Sequence, residues 1–500
     1  MATQYILSID QGTTGTTVSL INTKGQLKVK VNKEFRQIFP KPGWVEHNPQ
    51  DIWRSTISTI KAALIKGKVK ASDILTIGIT NQRETVMAWN RETGESLGNA
   101  IVWQCRRTTE LCNTLKKRGV EKRVKEVTGL VLDPYFSGTK MQWILKNNPE
   151  AKKIARKGKL CFGTVDSFLI WKLTGGKVFA TDVSNASRTL LTSLDTADYS
   201  DEMLHLLQIK RDMLPQIKSS GGLFGKTTKI PGLGSGIPIT AAIGDQQSAL
   251  FGQFCFDLGE SKMTYGTGSF LLMNTGNRKI LSKNGLLTTV AWQLPNQRGV
   301  NYALEGGAFI CGAAVQWLRD NLGLVKTSKE IERLAQKVKS CDGVQFIPAF
   351  AGLGAPFWDP NVRGTLFGLT RGTEKSHIAR ATLEAMALQN VDIVNTMSVD
   401  ARARLKSVRV DGGAAANSLL MQMQADYLGV NVVRPKVIET TAMGAAFMAG
   451  LGAGVWSSLK DLKKLDQVDK EFKPSFTKRE RDLRLSQWHK AIDGARQVYS

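Results

Sequence analysis

The sequence predicts an α/β protein of two related domains that share a cleft, and two observations support this fold class. Helical patterns alternate with short apolar segments, such as residues 76–80 and 407–410, as is typical of mixed sheets flanked by helices. A glycine-rich turn between two apolar arms also occurs near the start of each half of the chain. We therefore expect domains at residues 1–252 and 253–500, with no proline-rich or serine-rich linker between them.

The chain opens with a predicted β-meander. Residues 5–10 form an apolar strand, residues 17–21 return as a second strand after a glycine-threonine turn, and residues 26–31 form a third after a turn at residues 22–25. A second hairpin of the same kind is expected at residues 263–274, where residues 265–269 read Tyr-Gly-Thr-Gly-Ser. Each predicted domain thus begins with a β-hairpin that has a glycine-rich turn.

Two later segments complete the predicted organisation. Residues 440–459 carry no charge over nearly the length of a membrane span, but they contain four glycines and only two leucines. This composition favours a buried helix packed closely against a ligand or a sheet. The charged stretches at residues 459–466 and 478–497 are expected to be helices of a terminal appendage with little chemistry.

The composition of the chain limits the cellular compartments and binding partners to be expected. The first residues lack the basic start and long apolar core of a secretory signal, and the six cysteines show neither a CxxC pair nor metal-ligand spacing. We expect a cytoplasmic protein with reduced, mostly buried thiols and no membrane partner. The net charge of +25 makes nucleic-acid binding an alternative to weigh. The basic residues of the chain are spread along helical stretches, mixed with acidic residues, and no nucleic-acid-binding motif accompanies them. We therefore expect no nucleic-acid partner.

The first glycine turn is a candidate phosphate-binding element. Phosphoryl transfer needs backbone N–H groups around phosphate oxygens, carboxylates for Mg²⁺ and a base aimed at the attacking hydroxyl. Glycines let the backbone approach an anion, hydroxyls add donors, and a carboxylate at the strand end can reach a metal. The residues concerned are Asp10, Thr13, Thr14 and Gly15. No G-x-x-x-x-G-K-[ST] loop is present, and this turn alone would equally fit an ordinary hairpin.

The second half offers two further glycine turns. Thr267 is expected at the tip of the second hairpin as a hydroxyl donor. The pair Gly412 and Gly413 follows the strand at residues 407–410 and precedes a helical pattern at residues 417–427, where a nucleotide base or ribose could lie on the backbone. An ordinary hairpin and a tight strand-to-helix turn are the alternatives. Agreement among the three glycine turns favours a nucleotide site.

The candidate acceptor site combines two polar segments. Arg83 and Glu84 follow a predicted strand and can donate and accept hydrogen bonds to vicinal hydroxyls. Asp245 follows the apolar stretch at residues 238–244, so it would lie at a strand end and could take a substrate proton as general base. A solvated surface pair, and a carboxylate that caps the next helix, are the competing interpretations.

Longer motifs resemble the FGGY family of carbohydrate kinases over almost the whole chain, and within it the glycerol kinases. Residues 135–144, YFSGTKMQWI, are similar to the first family signature, and residues 364–384 are similar to the second. The stretches shared with glycerol kinases are PKPGWVEH at 40–47, ITNQRET at 79–85, NAIVWQCRRT at 99–108, GDQQ at 244–247, NGLLTT at 284–289 and GLGAP at 352–356. The resemblance implies an actin-like fold, with two ribonuclease-H-like domains around a central catalytic cleft, and transfer of the ATP γ-phosphate to glycerol.

The resemblance also implies roles for individual residues. The implied glycerol-binding residues are Arg83, Glu84, Tyr135, Asp245 and Gln246, with Trp103 and Phe270 as apolar walls. The implied nucleotide-binding residues are Thr13, Thr14, Gly15, Thr267, Gly312, Gln316, Gly413 and Asn417. Asp245 is the implied general base, and Asp10 and Asp245 are the implied carboxylates at Mg²⁺. Family members are often dimers or tetramers, so a homodimer or homotetramer is expected.

Three departures from the glycerol kinase pattern limit what the resemblance implies. Thr17 stands where these enzymes commonly carry an arginine, which removes a charge-assisted phosphate contact. Gly236 stands where some bacterial members use an arginine to bind fructose 1,6-bisphosphate, and residues 473–481 differ from a segment that some members present to a sugar-transport regulator. We expect neither interaction. The alternatives are another sugar kinase of the same fold and a non-catalytic protein that binds an anionic surface.

Overall fold

The computed structural model describes residues 3–359, 361–402 and 405–499, so the outer limits of the two predicted domains, residues 1 and 500, lie outside it. The strands are β1 (Tyr5–Gln11), β2 (Gly15–Asn22), β3 (Leu27–Glu34), β4 (Glu46–His47), β5 (Ile74–Asn81), β6 (Met87–Asn90), β7 (Ala100–Ile101), β8 (Leu160–Gly163), β9 (Ala180–Asp182), β10 (Thr192–Ser193), β11 (Asp198–Tyr199), β12 (Gln216–Lys218), β13 (Gly221–Lys226), β14 (Pro238–Gly244), β15 (Ser261–Tyr265), β16 (Ser269–Gly276), β17 (Leu287–Trp292), β18 (Asn301–Ala308), β19 (Gln345–Ile347), β20 (Thr365–Phe367), β21 (Ser407–Asp411), β22 (Asn431–Pro435) and β23 (Val468–Phe472). The α-helices are α1 (Pro49–Gly67), α2 (Thr109–Lys117), α3 (Glu121–Thr128), α4 (Ser137–Asn147), α5 (Pro149–Arg156), α6 (Val165–Leu173), α7 (Val183–Ala186), α8 (Asp201–Leu207), α9 (Asp245–Gly252), α10 (Gly312–Asp320), α11 (Glu330–Ala335), α12 (Lys375–Ala401), α13 (Ser418–Leu428), α14 (Thr440–Gly452), α15 (Leu459–Lys463) and α16 (Lys478–Tyr499).

Each half of the chain contains one large sheet, and the two sheets share an arrangement. The first has the order β13-β14-β5-β1-β2-β3 and the second the order β17-β18-β16-β15-β21-β22-β23. In both, an antiparallel meander (β1-β2-β3 or β15-β16-β18) is extended by two parallel strands beside its first strand (β5 and β14, or β21 and β22). This is the duplicated sheet of an actin-like, ribonuclease-H-like fold, so the predicted fold class is confirmed.

The local sequence explains why these strands and helices form. The central strands β1 and β14 are nearly continuous apolar runs buried on both faces, as parallel neighbours covered by helices require. The outer strand β3 is mostly exposed, with alternating lysines that discourage pairing with another chain. Helix α1 begins after Asn48, whose side chain accepts a hydrogen bond from the Gln50 N–H, and Pro49 occupies the first helical position.

Helix α14 joins the halves, because it comes from the second half of the chain but packs on α9 and on the first sheet. Its backbone carbonyls accept hydrogen bonds from the hydroxyls of Ser8 at 2.8 Å, Thr240 at 2.8 Å and Ser248 at 2.7 Å. The buried helix predicted at residues 440–459 is therefore confirmed, but it ends at Gly452 rather than at residue 459. None of the helices in the described ranges combines the length and the apolar character that a membrane crossing requires.

The terminal region differs from the expected charged appendage. The predicted helix at residues 459–466 ends at Lys463, and β23 follows as the edge strand of the second sheet, paired with β22. Helix α16 is anchored by Trp488, which is 1% exposed and donates its Nε1–H to Asp392 of α12 at 2.8 Å. The helix expected at residues 478–497 is thus confirmed, whereas β23 was missed because four of its five residues are exposed.

Candidate active site

Three predicted site residues meet at one edge of the first sheet. Strands β1, β5 and β14 run parallel, so their carboxyl ends lie side by side. Asp10 lies near the end of β1, Arg83 follows β5, and Asp245 follows β14. Nε of Arg83 lies 3.2 Å from Oδ1 of Asp245, so the segments that follow β5 and β14 are in direct contact.

The first hairpin turn closes with a hydrogen bond from the Gly12 N–H to the Gly15 carbonyl at 2.9 Å and leaves two other backbone N–H groups available. Its carbonyls are tied back into the domain: the Gly12 carbonyl accepts from Gln82 Nε2 at 3.0 Å. The Thr13 carbonyl accepts from Gln37 Nε2, also at 3.0 Å. In the part of the chain that the structure describes, the N–H groups of Thr13 and Thr14 have no protein acceptor. Two such donors on a short turn are suited to bind phosphate oxygens.

Gly15 has a packing role that the sequence pattern does not show. It is buried at the start of β2, and a Cβ there would lie 2.8 Å from the Lys33 carbonyl oxygen of β3. The absence of a side chain therefore lets the third strand close against the hairpin. Its implied contact with nucleotide stays a prediction.

Thr17, the departure from the family pattern, lies beside Asp10. It is the cross-strand neighbour of Asp10 on one side and of Asn32 on the other, and its hydroxyl accepts from Asn32 Nδ2 at 2.9 Å. Lys30, two residues from Asn32 on the same face of β3, forms an ion pair with Glu439 just before α14. The ammonium of Lys30 thus lies close to Thr17 and Asn32, although no arginine occupies position 17.

The second hairpin turn is held by the start of α10. The N–H of Gly312 donates to the Gly266 carbonyl, and the N–H of Ala313 donates to the Thr267 carbonyl, both at 3.0 Å. A Cβ at Gly312 would lie 2.6 Å from the Gly266 carbonyl oxygen, so only glycine permits this approach. Thr267 itself is exposed, and within the described ranges its own N–H and hydroxyl have no protein partner.

The remaining implied nucleotide residues belong to the second half. Gln316 is exposed one turn into α10, and Gly413 is exposed in the turn after β21. Asn417 caps α13 by accepting from the Leu420 N–H at 2.9 Å, which leaves its amide N–H groups available. The parallel pair β15 and β21 brings the Thr267 hairpin and the Gly413 turn to one edge of the second sheet.

The acceptor side is built on a buried ion network. Arg83 donates from Nη1 to Glu305 Oε2 at 2.7 Å and from Nη2 to Glu305 Oε1 at 2.8 Å. Arg188 donates to Glu84 Oε1 at 2.6 Å and to Glu305 Oε1 at 3.2 Å. Although burial acts to raise it, the two guanidinium groups lower the pKa of Glu305 to about 2. Glu305 therefore stays ionised and fixes Arg83 from the opposite sheet.

Glu84 has an unusual backbone conformation. Its φ is 60°, in the left-handed region that non-glycine residues seldom occupy, and the Thr85 N–H donates to the Arg83 carbonyl at 2.8 Å across it. Strained residues of this kind cluster at functional sites. The turn directs Glu84 into the interior, where it is 1% exposed, so the surface-pair interpretation of Arg83 and Glu84 is wrong.

The aromatic residues of the site have different neighbours. Trp103 donates its Nε1–H to the Thr13 hydroxyl at 2.9 Å, and its ring packs edge-on against Tyr135 with centroids 5.6 Å apart. The Tyr135 hydroxyl lies 3.4 Å from Nη2 of Arg83. Phe270 lies on β16, opposite Gly307 of β18, and no ring contact links it to Trp103 in the described part of the chain. The implied pair of apolar walls is thus split between the two halves of the chain, because Trp103 follows β7 and Phe270 lies on β16.

Asp245 combines features of both sequence interpretations. It is the first residue of α9, after the capping Gly244, and its Oδ1 accepts from the Gln246 N–H at 2.7 Å. Burial raises the pKa of Asp245, while Arg83 and Lys262 act to lower it. A carboxylate that is largely removed from water, with 28% of its side chain exposed, is suited to accept a proton.

Asp10 and Asp245 influence each other. Burial, followed by the charge of Asp245, raises the pKa of Asp10 to about 7, and Lys30 opposes this effect. Two neighbouring carboxylates of this kind repel each other unless a proton or a cation lies between them. Their arrangement therefore suits a divalent cation.

Sequence reasoning missed Glu305, Arg188 and Lys262, all of them buried. A signal was present for two of them, because Glu305 and Lys262 are the single charged residues of β18 and β15, two strands that are mostly buried. A charge in such a strand must have a partner or a function. Arg188 lies outside any strand, so nothing local indicated its burial.

Each of the two hairpin turns offers unpaired backbone N–H groups, and the buried carboxylate Asp245 lies beside a polar network. These features define a phosphotransferase of the two-domain sugar-kinase class. Comparison with family models agrees with this class. The N-terminal domain model of the FGGY family of carbohydrate kinases matches residues 5–252, and the C-terminal domain model matches residues 261–453. The chain belongs to the FGGY family of carbohydrate kinases, as the motifs predict.

Comparison with individual proteins shows which members of the family the chain is similar to. The chain is 59% identical to a glycerol kinase of Bdellovibrio bacteriovorus, over 98% of this chain and 99% of the relative. It is 52% identical to glycerol kinase 2 of Thermotoga maritima, over 98% of both chains. The solved structure of Plasmodium falciparum glycerol kinase with ADP has a TM-score of 0.93 at 37% identity, covering 99% of this chain and 98% of that one. A xylulose kinase of Lactobacillus acidophilus, at 23% identity, TM-score 0.88 and 99% coverage of both chains, shares the fold alone.

Proposed function

We propose that this chain transfers the γ-phosphate of ATP to a terminal hydroxyl of glycerol, giving sn-glycerol 3-phosphate and ADP. The observation that carries the proposal is the convergence of Arg83, Glu84, Tyr135 and Asp245 in one buried polar network. Glycerol has a hydroxyl on every carbon and little apolar surface. A buried site must pair each hydroxyl, because an unpaired buried polar group costs about 1 to 3 kcal/mol. The similarity to glycerol kinases supports the same acceptor.

Each candidate residue has a chemical role in this proposal. Asp245 accepts the proton of the attacking hydroxyl while the new oxygen–phosphorus bond forms and the bond to the β-phosphate oxygen breaks, releasing ADP. The N–H groups of Thr13, Thr14 and Thr267 bind phosphate oxygens from opposite sides of the cleft. The glycerol-binding set is completed by Gln246, with Trp103 and Phe270 against the carbon chain. The nucleotide-binding set is completed by Gly15, Gly312, Gln316, Gly413 and Asn417.

The residues present fit Mg²⁺ as the resident cation. In the described ranges no cluster of three or more histidine, cysteine or acidic residues forms a metal cage. Magnesium in phosphoryl-transfer sites uses one or two carboxylates together with substrate phosphates, and Asp10 and Asp245 would provide them. When bound, the ion neutralises charge on the phosphate oxygens. The raised pKa of Asp10, due to burial and to Asp245, supports this assignment because a dication would relieve the repulsion.

Setting and assembly complete the proposal. The six cysteines are free and buried, which supports a reducing compartment such as the cytoplasm. We place the domain boundary at residues 252 and 253, because α9 ends at Gly252 and the second sheet begins with β15. A homodimer or homotetramer is proposed from the family resemblance.

An acceptor panel tests the proposed function. ADP release is measured with glycerol, dihydroxyacetone, xylulose, gluconate and water as acceptors. We expect the highest kcat/KM with glycerol, and ADP release without acceptor that is lower by orders of magnitude, because domain closure excludes water. A preference for xylulose or gluconate would contradict the glycerol assignment and leave the kinase class intact.

A further inference from the structure

A short buried helix contacts the strand ends that lead to the acceptor site. Helix α7 spans Val183–Ala186, and its side chains Ser184 and Asn185 are both 0% exposed. Asp182 caps this helix by accepting from the backbone N–H groups of Ser184 and Asn185, both at 2.9 Å. The Ser220 hydroxyl also donates to Asp182, at 2.7 Å. The capping carboxylate therefore anchors α7 to the segment that precedes β13.

Ser184 completes the hydrogen bonding of β14. The N–H of Ala242 on this strand donates to the Ser220 carbonyl at 3.1 Å, and two residues later the N–H of Gly244 donates to the Ser184 hydroxyl at 2.9 Å. Alternate N–H groups of a strand point to the same side, so the serine hydroxyl takes the place of the next carbonyl on that side. Gly244 is the last residue of β14 and directly precedes Asp245. The hydroxyl therefore fixes the backbone from which Asp245 projects.

Asn185 makes the matching contact with β5. Its Nδ2 donates to Asn81 Oδ1 at 3.1 Å and its Oδ1 accepts from Asn81 Nδ2 at 3.0 Å, so the two amides form a two-point pair. Asn185 Nδ2 also donates to Asp182 Oδ1 at 2.9 Å, which sets the orientation of the amide. Asn81 ends β5 two residues before Arg83, and it is the register partner of Gly244 in β14. Neighbouring residues of α7 thus hold both members of the last β5–β14 pair.

The segment that follows α7 reaches the second half of the chain. The Ser187 hydroxyl lies 2.9 Å from the Thr289 hydroxyl of β17 and accepts from the Val290 N–H at 3.3 Å. Arg188, the next residue, donates to Glu305 of β18 at 3.2 Å. Helix α7 is therefore held from both halves of the chain, as a fixed support for the two strand ends requires.

We propose that Ser184 and Asn185 are positioning residues for the acceptor site: together they fix the spacing between the strand ends that carry Arg83 and Asp245. The inference rests on the proposed function, in which Arg83 binds glycerol and Asp245 takes its proton. A misplacement of about 1 Å can lower a rate by about 10²-fold, so the backbone that carries each group must be held closely. Fully paired buried polar groups supply this rigidity, because leaving one of them unpaired is costly.

The test measures kcat and the KM values for glycerol and ATP in Ser184→Ala and Asn185→Ala. Ser184→Ala leaves the Gly244 N–H unpaired next to Asp245, so kcat should fall about tenfold while KM for glycerol changes less. Asn185→Ala releases the strand end before Arg83, so KM for glycerol should rise about tenfold while kcat changes less. Because neither substitution alters a group of the phosphate hairpins, KM for ATP should stay near its wild-type value. Wild-type kcat in Ser184→Ala, or wild-type KM for glycerol in Asn185→Ala, would overturn the proposal.

A double variant separates positioning from general damage. If Ser184 acts through Asp245, Ser184→Ala should lower single-turnover transfer only slightly in an Asp245→Asn background, because groups that act as a unit are not additive. An equal fold-loss in the two backgrounds would overturn the proposal. Asp245→Asn alone, and wild-type activity on the acceptor panel, test the proposed function without altering α7, so the two ideas can fail separately.

A matched control removes a buried hydroxyl of the same kind elsewhere. Ser282 is 3% exposed, donates to Asp400 at the end of α12, and accepts from the Leu286 N–H at 2.9 Å. Ser282→Ala should leave kcat and both KM values near wild type, and a fall in kcat equal to that of Ser184→Ala would overturn the proposal. Thermal unfolding shows whether each variant is folded, and Asn185→Ala provides the test if Ser184→Ala is not.

Discussion

Arg83 and Glu305 form a two-point ion pair that joins the two sheets of the molecule, with both nitrogen–oxygen distances below 2.9 Å. Arg83 follows β5 of the first sheet, and Glu305 lies in β18 of the second. The guanidinium that faces Asp245 is therefore oriented by a carboxylate from the other half of the chain. Under the proposed function, this contact couples acceptor binding to the relative position of the halves.

Glu305→Gln tests this coupling. The amide keeps the shape but removes the charge, which leaves Arg83 and Arg188 with one carboxylate fewer. We expect kcat/KM for glycerol to fall at least about tenfold, because loosening a buried charge pair costs several kcal/mol. Glu260→Gln, a half-exposed acid just before β15 that pairs with Lys463, is the matched control and should change kcat/KM little. Equal effects of the two substitutions would contradict the assignment.

Thr17→Arg tests the missing phosphate contact. Thr17 lies opposite Asp10 at the end of the first hairpin, where an arginine could donate to phosphate oxygens. We expect KM for ATP to fall about tenfold, since a charge-assisted hydrogen bond contributes roughly 1.5 to 3 kcal/mol. Thr23→Arg, in an exposed turn of the same meander, adds the same charge away from the cleft and should leave KM for ATP unchanged. An unaltered KM in Thr17→Arg would show that Lys30 or another group already fills this role.

Asp10→Asn makes a stability prediction with a definite sign. The pKa of Asp10 is raised from 3.8 to about 7 by burial and by Asp245, so the folded state binds a proton that the unfolded state releases above pH 4. The contribution of Asp10 to the free energy of unfolding therefore decreases as pH rises from about 4 to 7. Without nucleotide or metal, Asp10→Asn should raise Tm relative to wild type at pH 8 and change it little at pH 4. A variant that is less stable than wild type at pH 8 would contradict the raised pKa.

Trp103→Phe distinguishes the role of the Trp103 ring from the role of its indole N–H. The phenyl ring can still pack against Tyr135, but the hydrogen bond to the Thr13 hydroxyl is lost. We expect KM for ATP to rise a few-fold while KM for glycerol changes less, because Thr13 belongs to the phosphate hairpin. Trp171→Phe is the matched control, since the buried Trp171 Nε1–H has no partner among the described residues. A larger effect on glycerol than on ATP would mean that Trp103 acts mainly as an acceptor wall.

The sequence predicts the fold well because its strongest patterns are local. Short strand-like segments followed by glycine turns mark β1, β15 and β21, and strand ends place Asp10, Arg83 and Asp245 at one edge. The pairing of Arg83 with Glu305 could not be predicted, because the two residues are 222 positions apart and meet only when the sheets face each other. The same holds for the Trp103 contact with Thr13. Strand β23 was missed because an edge strand carries charges on its exposed face.

The most direct test of the whole account is the Asp245→Asn variant, measured by rapid-quench phosphoryl transfer and by calorimetric titration with glycerol. The amide can still hydrogen-bond the acceptor but cannot take its proton, so transfer should slow by at least about 10²-fold to 10⁴-fold while glycerol binding remains measurable. Near-normal transfer in this variant would contradict the claim that Asp245 is the base. Loss of glycerol binding with unchanged folding would show instead that Asp245 only holds the acceptor.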